Sequence, residues 1–267
     1  MEWIDWSAMS EVEKLLSANP NTLVGYFPAG YPTIDDSVEA CLAMIRGGVE
    51  ILELGVPYSD PIMDGPVIQK ATEVARYNGF RLRDTFEIIR RIRNQTDVPI
   101  LVMTYWNPVI RMGLREFAQQ LKDAGANGLI TPDLIPDEAA EWVEISDELD
   151  LDRVFLIAPS SSDERIRRNA ESSKGFVYTV STMGITGERE NLDALARATV
   201  ERLRAVSQRP TAVGVGISTG EQVREVNSYA NGAIVGTAFI KAYADAGLSG
   251  LVEKTKELAE GLELQRD

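Results

Sequence analysis

The sequence contains no histidine and a single cysteine, Cys41. The first absence removes Ser-His-Asp and Cys-His catalysis and histidine metal sites. The second removes an intrachain disulfide and thiolate metal sites, so no metal is expected, and a lone thiol fits a reducing cytoplasm. Proton transfer must then fall to Asp, Glu, Lys or Tyr. No apolar run reaches the length of a membrane span. The N-terminus, "MEWIDWSAMSEVEKLL", is acidic and amphipathic, unlike a signal peptide. A cytoplasmic location is therefore the expectation. Positive charge is scarce as well: 27 Lys and Arg face 41 Asp and Glu, a formal net charge of −14. That balance disfavours nucleic acid and anionic membranes as partners. It leaves open a small anion held by local backbone N–H groups. No linker or low-complexity tract divides the chain, and one domain over residues 1–267 is expected.

What the chain does have is a recurring short apolar run followed by an amphipathic stretch. The runs are "TLVGYF" (22–27), "VEILEL" (49–54), "PILVMTYW" (99–106), "GLIT" (128–131), "RVFLIA" (153–158), "FVYTV" (176–180), "TAVGVG" (211–216) and "GAIVG" (232–236). Most are rich in Val, Ile and Leu without alternation, as in parallel strands covered on both faces. Between them lie helical patterns. "TIDDSVEACLAMIRGG" opens on Thr33 and closes on Gly47 and Gly48; "PDEAAEWVEISDEL" opens on Pro136 with acids in its first turn. In "STGEQV", Ser218 precedes Glu221 at capping-box spacing. Eight strands alternating with helices predict a (β/α)₈ barrel, here with an extra N-terminal helix. The alternative, an open doubly wound sheet, usually carries Gly-x-Gly-x-x-Gly after its first strand. Here that strand runs into "GYFPAGYP", and in "GVGISTG" the third glycine comes one residue late.

In such a barrel the functional side chains stand at the C-terminal ends of the strands. Glu53 ends the second strand, where another Leu or Val is expected. The two-residue period puts Val49, Ile51 and Glu53 on one face and Leu52 and Leu54 on the other. With the first face inward, Glu53 projects into the mouth over an aliphatic floor, with a raised pKa. Asp64 follows on a loop shaped by Gly55, Pro57, Pro61, Gly65 and Pro66. The plainer reading makes Glu53 an ion-paired residue and Asp60 and Asp64 turn formers. Gly216, Gly236 and Thr237 fall after the seventh and eighth strands, where barrels bind phosphate on bare N–H groups and a helix N-terminus. The plainer reading there is relief of crowding. "STMGITGERE" (181–190), after the sixth strand, reads either as a loop that closes over ligand or as an ordinary surface loop.

The stretch "ELGVPYSDPIMDGPVIQKA" resembles the signature of the tryptophan synthase α chain family, and the similarity runs from about Leu23 to Lys241. "PAGYP", "GITG", "GVGIS" and "VGTAFIK" match the family's loops in order. The resemblance implies cleavage of indole-3-glycerol phosphate to indole and glyceraldehyde 3-phosphate, with Glu53 and Asp64 as the catalytic pair. It places Tyr26, Tyr105, Tyr178, Thr186, Gly187, Gly216, Gly236 and Thr237 on substrate-contacting positions. It sets Pro57, Asp60, Asn107 and Pro108 toward a β chain in an α₂β₂ assembly. It implies no cofactor in this chain, since pyridoxal phosphate belongs to the β partner. Tyr58 stands where the family usually has Phe, Thr237 where Ser is common, and "STMGITG" lacks the Arg or Ser often found at Thr182 and Met183. Two rivals remain: a free-standing lyase that needs no partner, and a phosphate-binding subunit kept only for allostery.

Overall fold

The computed structural model describes residues 9–19, 21–180, 189–214 and 216–263. The apolar runs form strands β1 Thr22–Pro28, β2 Ile51–Gly55, β3 Ile100–Met103 and β4 Gly128–Ile130. β5 is in two parts, Asp152–Val154 and Leu156–Ile157; β6 is Val177–Val180, β7 Thr211–Gly214 and β8 Gly232–Val235. Every ladder is parallel. The first part of β5 pairs with β4 and the second with β6. One strand broken at Phe155 thus closes the ring, and the fold is the expected (β/α)₈ barrel. Among the described residues each strand has a neighbour on both sides, which removes the free edges of an open sheet.

The helices are α1 Glu11–Ala18, α2 Ile34–Arg46, α3 Pro66–Tyr77, α4 Asp84–Arg93, α5 Trp106–Met112 and α6 Leu114–Ala124. They continue as α7 Ala140–Glu148, α8 Asp163–Ser172, α9 Arg189–Arg204, α10 Gly220–Asn227 and α11 Thr237–Glu263, the last broken at Ala246 and Gly247. Thr33 caps α2 by accepting from Asp36 N–H, and Gly47 ends it, as its sequence implied. Two details differ. Pro136 opens a 3₁₀ turn, Pro136–Glu138, and α7 starts only at Ala140. The capping box of α10 joins Thr219 to Gln222, one residue beyond the Ser218–Glu221 pair. Gln222 also accepts from Ser218 N–H and Oγ, so the longer amide side chain gathers both donors.

One apolar residue from each strand position fills the barrel: Val24, Ile51, Leu101, Ile130, Val154, Phe176, Ala212 and Ile234. Helix α1 adds Val12 and Leu16 to the same cluster, both fully buried, and so plugs the N-terminal end. Polar bonds fasten it there. Ser10 Oγ donates to Asp152 at 3.0 Å, Asn231 Nδ2 to Leu16 O at 3.1 Å, and Arg209 pairs with Glu13 at 2.9 Å. Val49 departs from the expected inward face. It precedes β2, donates its N–H to Met44 O, and packs against Gly25 outside the ring. The period-two rule holds only once the strand begins, from Ile51 onward. Truncating Leu16 leaves a void between plug and barrel. Leu16→Ala should cost about 2–5 kcal/mol with an unchanged denaturant slope. Urea unfolding followed by circular dichroism measures both.

Candidate active site

Two residues beyond the interior layer, the same faces carry Tyr26, Glu53, Met103, Leu156, Tyr178, Gly214 and Gly236. Met103, Leu156 and Tyr178 pack directly on the interior layer. Tyr26 stands in register with Glu53 on the neighbouring strand. The glycines make room for the two phenol rings. A Cβ at Gly236 would lie 3.1 Å from the Tyr26 ring, one at Gly55 would collide with its hydroxyl, and one at Gly214 would lie 2.9 Å from the Tyr178 hydroxyl. Sequence reasoning missed Gly55 and Gly214. The available signal was their parity with Glu53 and Ala212, which puts a missing side chain on the inner face.

Glu53 is 1% exposed, and among the described residues neither of its carboxyl oxygens has a hydrogen-bond partner. The ion-paired reading of Glu53 therefore fails. Burial, reinforced by the charge of Asp64, pushes its pKa up to about 8. Asp64 is half-buried, and burial raises it to about 6 against the opposing effect of the Tyr105 hydroxyl. Burial also holds the Tyr26 and Tyr178 phenols well above their ordinary value, with both carboxyl groups adding to the shift. These hydroxyls stay neutral. The mouth thus holds two acids that change charge on either side of neutrality, among phenols that do not.

The loop that carries Asp64 is fixed at several points. Tyr105 Oη accepts from Met63 N–H at 2.9 Å, and Gln69 Nε2 donates to Asp64 O at 2.8 Å. Gly65 and Pro66 then start α3. On the outer side, Asp60 and Asn107 are exposed, Pro108 is half-buried and Pro57 is buried. Ile62, between Asp60 and Asp64, is 77% exposed. Gly216 is exposed with φ of +69°, and a Cβ there would meet nothing. Its glycine answers a backbone conformation rather than a lack of space. Gly236 and Thr237 are half-buried where β8 gives way to α11. Thr186 and Gly187 lie outside the described residues. Among the described residues no group of three acids or thiols is placed to hold a metal.

The family model for the tryptophan synthase alpha chain matches residues 12–266. The chain belongs to that family. It is 54% identical to the tryptophan synthase alpha chain of Leifsonia xyli subsp. xyli over 239 residues, covering 90% of this chain and 92% of that protein. Its identity to the alpha chain of Mycobacterium intracellulare is 49% over 240 residues, 90% of this chain and 88% of the other. A solved Mycobacterium tuberculosis tryptophan synthase superposes with a TM-score of 0.90 at 46% identity, covering 95% and 98% of the two chains. A tryptophan synthase complex from Pyrococcus furiosus gives 0.82 at 34% identity, covering 92% and 99%.

For this alpha-chain family member the burial of Glu53 carries a thermodynamic cost. Its folded pKa of about 8 exceeds the ordinary value of 4.5. The stability is intact below about pH 4.5, falls as the unfolded carboxylate ionises, and reaches its low plateau above pH 8. At pH 7 the loss is on the order of 3 kcal/mol. Glu53→Gln removes the ionisation, so the variant should be more stable than the parent at pH 7 and not at pH 4. Paired urea titrations at the two pH values test this.

Proposed function

We propose that Glu53 and Asp64 carry out the retro-aldol cleavage of indole-3-glycerol phosphate that the family performs. The observation that supports this most is the split in ionisation of two acids facing one apolar mouth. Between about pH 6 and 8, Asp64 is ionised while Glu53 keeps its proton. Glu53 gives that proton to C3 of the indole ring. Asp64 accepts a hydrogen bond from the ring N–H and stabilises the cation formed. The C3 to side-chain bond then breaks, and its electrons restore the indole. Meanwhile the adjacent hydroxyl becomes the aldehyde and returns its proton to Glu53, which ends the cycle as it began. Each proton transfer is worth about 10²–10⁴ in rate. Met103, Leu156 and the rings of Tyr26 and Tyr178 suit the flat indole. The N–H groups at Gly216 and Gly236, together with the N–H and side-chain hydroxyl of Thr237, hold the phosphate, and Gly187, outside the described residues, joins them by family resemblance.

The reading needs no cofactor in this chain, and pyridoxal phosphate is assigned to the β partner. The exposed Asp60, Ile62 and Asn107 form the face offered to that partner in an α₂β₂ assembly, in the cytoplasm. No described helix is long and apolar enough to cross a membrane. Indole release from purified chain, with and without a β chain, separates this reading from a free-standing lyase and from a non-catalytic subunit.

The rate should follow a bell in pH. It falls below about 6 as Asp64 protonates and above about 8 as Glu53 loses its proton. Glu53→Gln should abolish turnover in a folded protein, and Asp64→Asn should lower it by about 10²-fold or more. Asp60→Asn should chiefly weaken the response to the β chain. Near-normal turnover in the Glu53→Gln variant would rule out the mechanism.

Thr237 is the cleaner probe of the phosphate end, because Gly236→Val would also collide with Tyr26. Thr237→Ala should raise the Michaelis constant by the worth of one hydrogen bond, about 0.5–1.5 kcal/mol, or up to about 3 with a charged acceptor. The reverse reaction gives the control, since the constant for free indole should not change.

A further inference from the structure

Tyr105 was expected to touch substrate, yet its polar end is already engaged. It is 5% exposed, just before α5. Its hydroxyl accepts from Met63 N–H at 2.9 Å, a full hydrogen bond across 42 residues of sequence. The same hydroxyl is near enough to the Asp64 carboxyl to favour its ionised form. Its ring lies on that of Tyr58, centroids 5.1 Å apart at 30°. Tyr58 Oη in turn accepts from Asn107 Nδ2 at 3.1 Å, and Asn107 lies in the first turn of α5, two residues beyond Tyr105.

These contacts make a closed clamp between two segments. One segment contributes Tyr58, Met63 and Asp64, the other Tyr105 and Asn107. The loop is gripped on both sides of its outward bulge, at Tyr58 and at Met63. Asp60 and Ile62 project from the bulge, and Asp64 comes immediately after the second grip. We propose that Tyr105 is a positioning residue that fixes Asp64 over the barrel mouth, with Tyr58 and Asn107 bracing its ring. This rests on the catalytic reading of Asp64.

The hydroxyl of Tyr58 matters here for a chemical reason. A phenylalanine at that position keeps the stack but offers Asn107 no acceptor. The charged or titratable groups acting on the Tyr105 hydroxyl are Asp64 from the clamped loop and Asp133 from the loop after β4. Asp133 is occupied by Trp106 N–H, which it accepts at 2.9 and 3.1 Å. Asp64 is therefore the acid left for Tyr105 to act on.

The test is Tyr105→Phe, which keeps the ring and removes the hydroxyl. The kcat should fall about 10- to 100-fold, the worth of a hydrogen bond to a charged group, with the Michaelis constant within about twofold. The acid limb of the kcat profile should move to higher pH, because the group that favours ionised Asp64 is gone. Tyr58→Phe should give a smaller fall in the same direction, and it stands in should Tyr105→Phe not fold. In an Asp64→Asn background, Tyr105→Phe should cost nothing further. A raised Michaelis constant with kcat and acid limb unchanged would make Tyr105 a substrate contact and overturn the proposal. An equal fall in the Asp64→Asn background would overturn it too. If Asp64→Asn alone keeps full turnover, the catalytic reading of Asp64 fails first, and the clamp loses its purpose with it.

Discussion

A carboxyl group with no hydrogen-bond partner among the described residues, held 1% exposed at the end of a barrel strand, is the constraint around which the rest is arranged. Left ionised there, Glu53 would be costly, so it keeps its proton to about pH 8. That is what lets a carboxylic acid donate a proton near neutrality. The same burial makes the site expensive to the fold. Stability given up at the place where chemistry occurs is a common exchange between function and folding.

The barrel supplies what this arrangement needs: a rigid, water-poor floor. Eight interior residues, one from each strand position, exclude solvent from below, and α1 closes the far end with Val12 and Leu16. The plug is therefore part of the site's support although it stands at the opposite end of the barrel. Above the floor, glycine replaces side chains at Gly214 and Gly236, and the rings of Tyr26 and Tyr178 occupy the space. Glycine on the inner face thus serves two ends. It admits the aromatic walls of the mouth, and in the proposed function it also lets an anion approach the backbone at the strand ends. Under that proposal, local dipoles at contact distance outweigh a net charge of −14 spread over the surface and screened by salt.

Much of this was legible in the residues. The eight strands, the N-terminal helix and the inward Glu53 followed from apolar runs, their spacing and the two-residue period. The Thr33 and Gly47 ends of α2 followed from capping chemistry. Those features depend on neighbours in sequence, which is why one chain suffices to read them. The capping box was misplaced by one residue because both Ser218–Glu221 and Thr219–Gln222 satisfy the same spacing. Only the path of the backbone chose between them. Val49 failed for a similar reason, since periodicity cannot say where a strand begins.

The sequence alone determined the fold class, the scarcity of candidates for proton transfer, and the position of the acid at a strand end. Tertiary structure decided what surrounds that acid. That Glu53 has no partner among the described residues, that Tyr26 and Tyr178 fill the space beside Gly214 and Gly236, and that Tyr105 grips Met63 across 42 residues depend on segments remote in the chain. Local propensity carries no record of such contacts. They exist only once barrel closure has brought the strand ends onto one rim, and the burial that comes with it sets the two carboxyl groups on either side of neutrality.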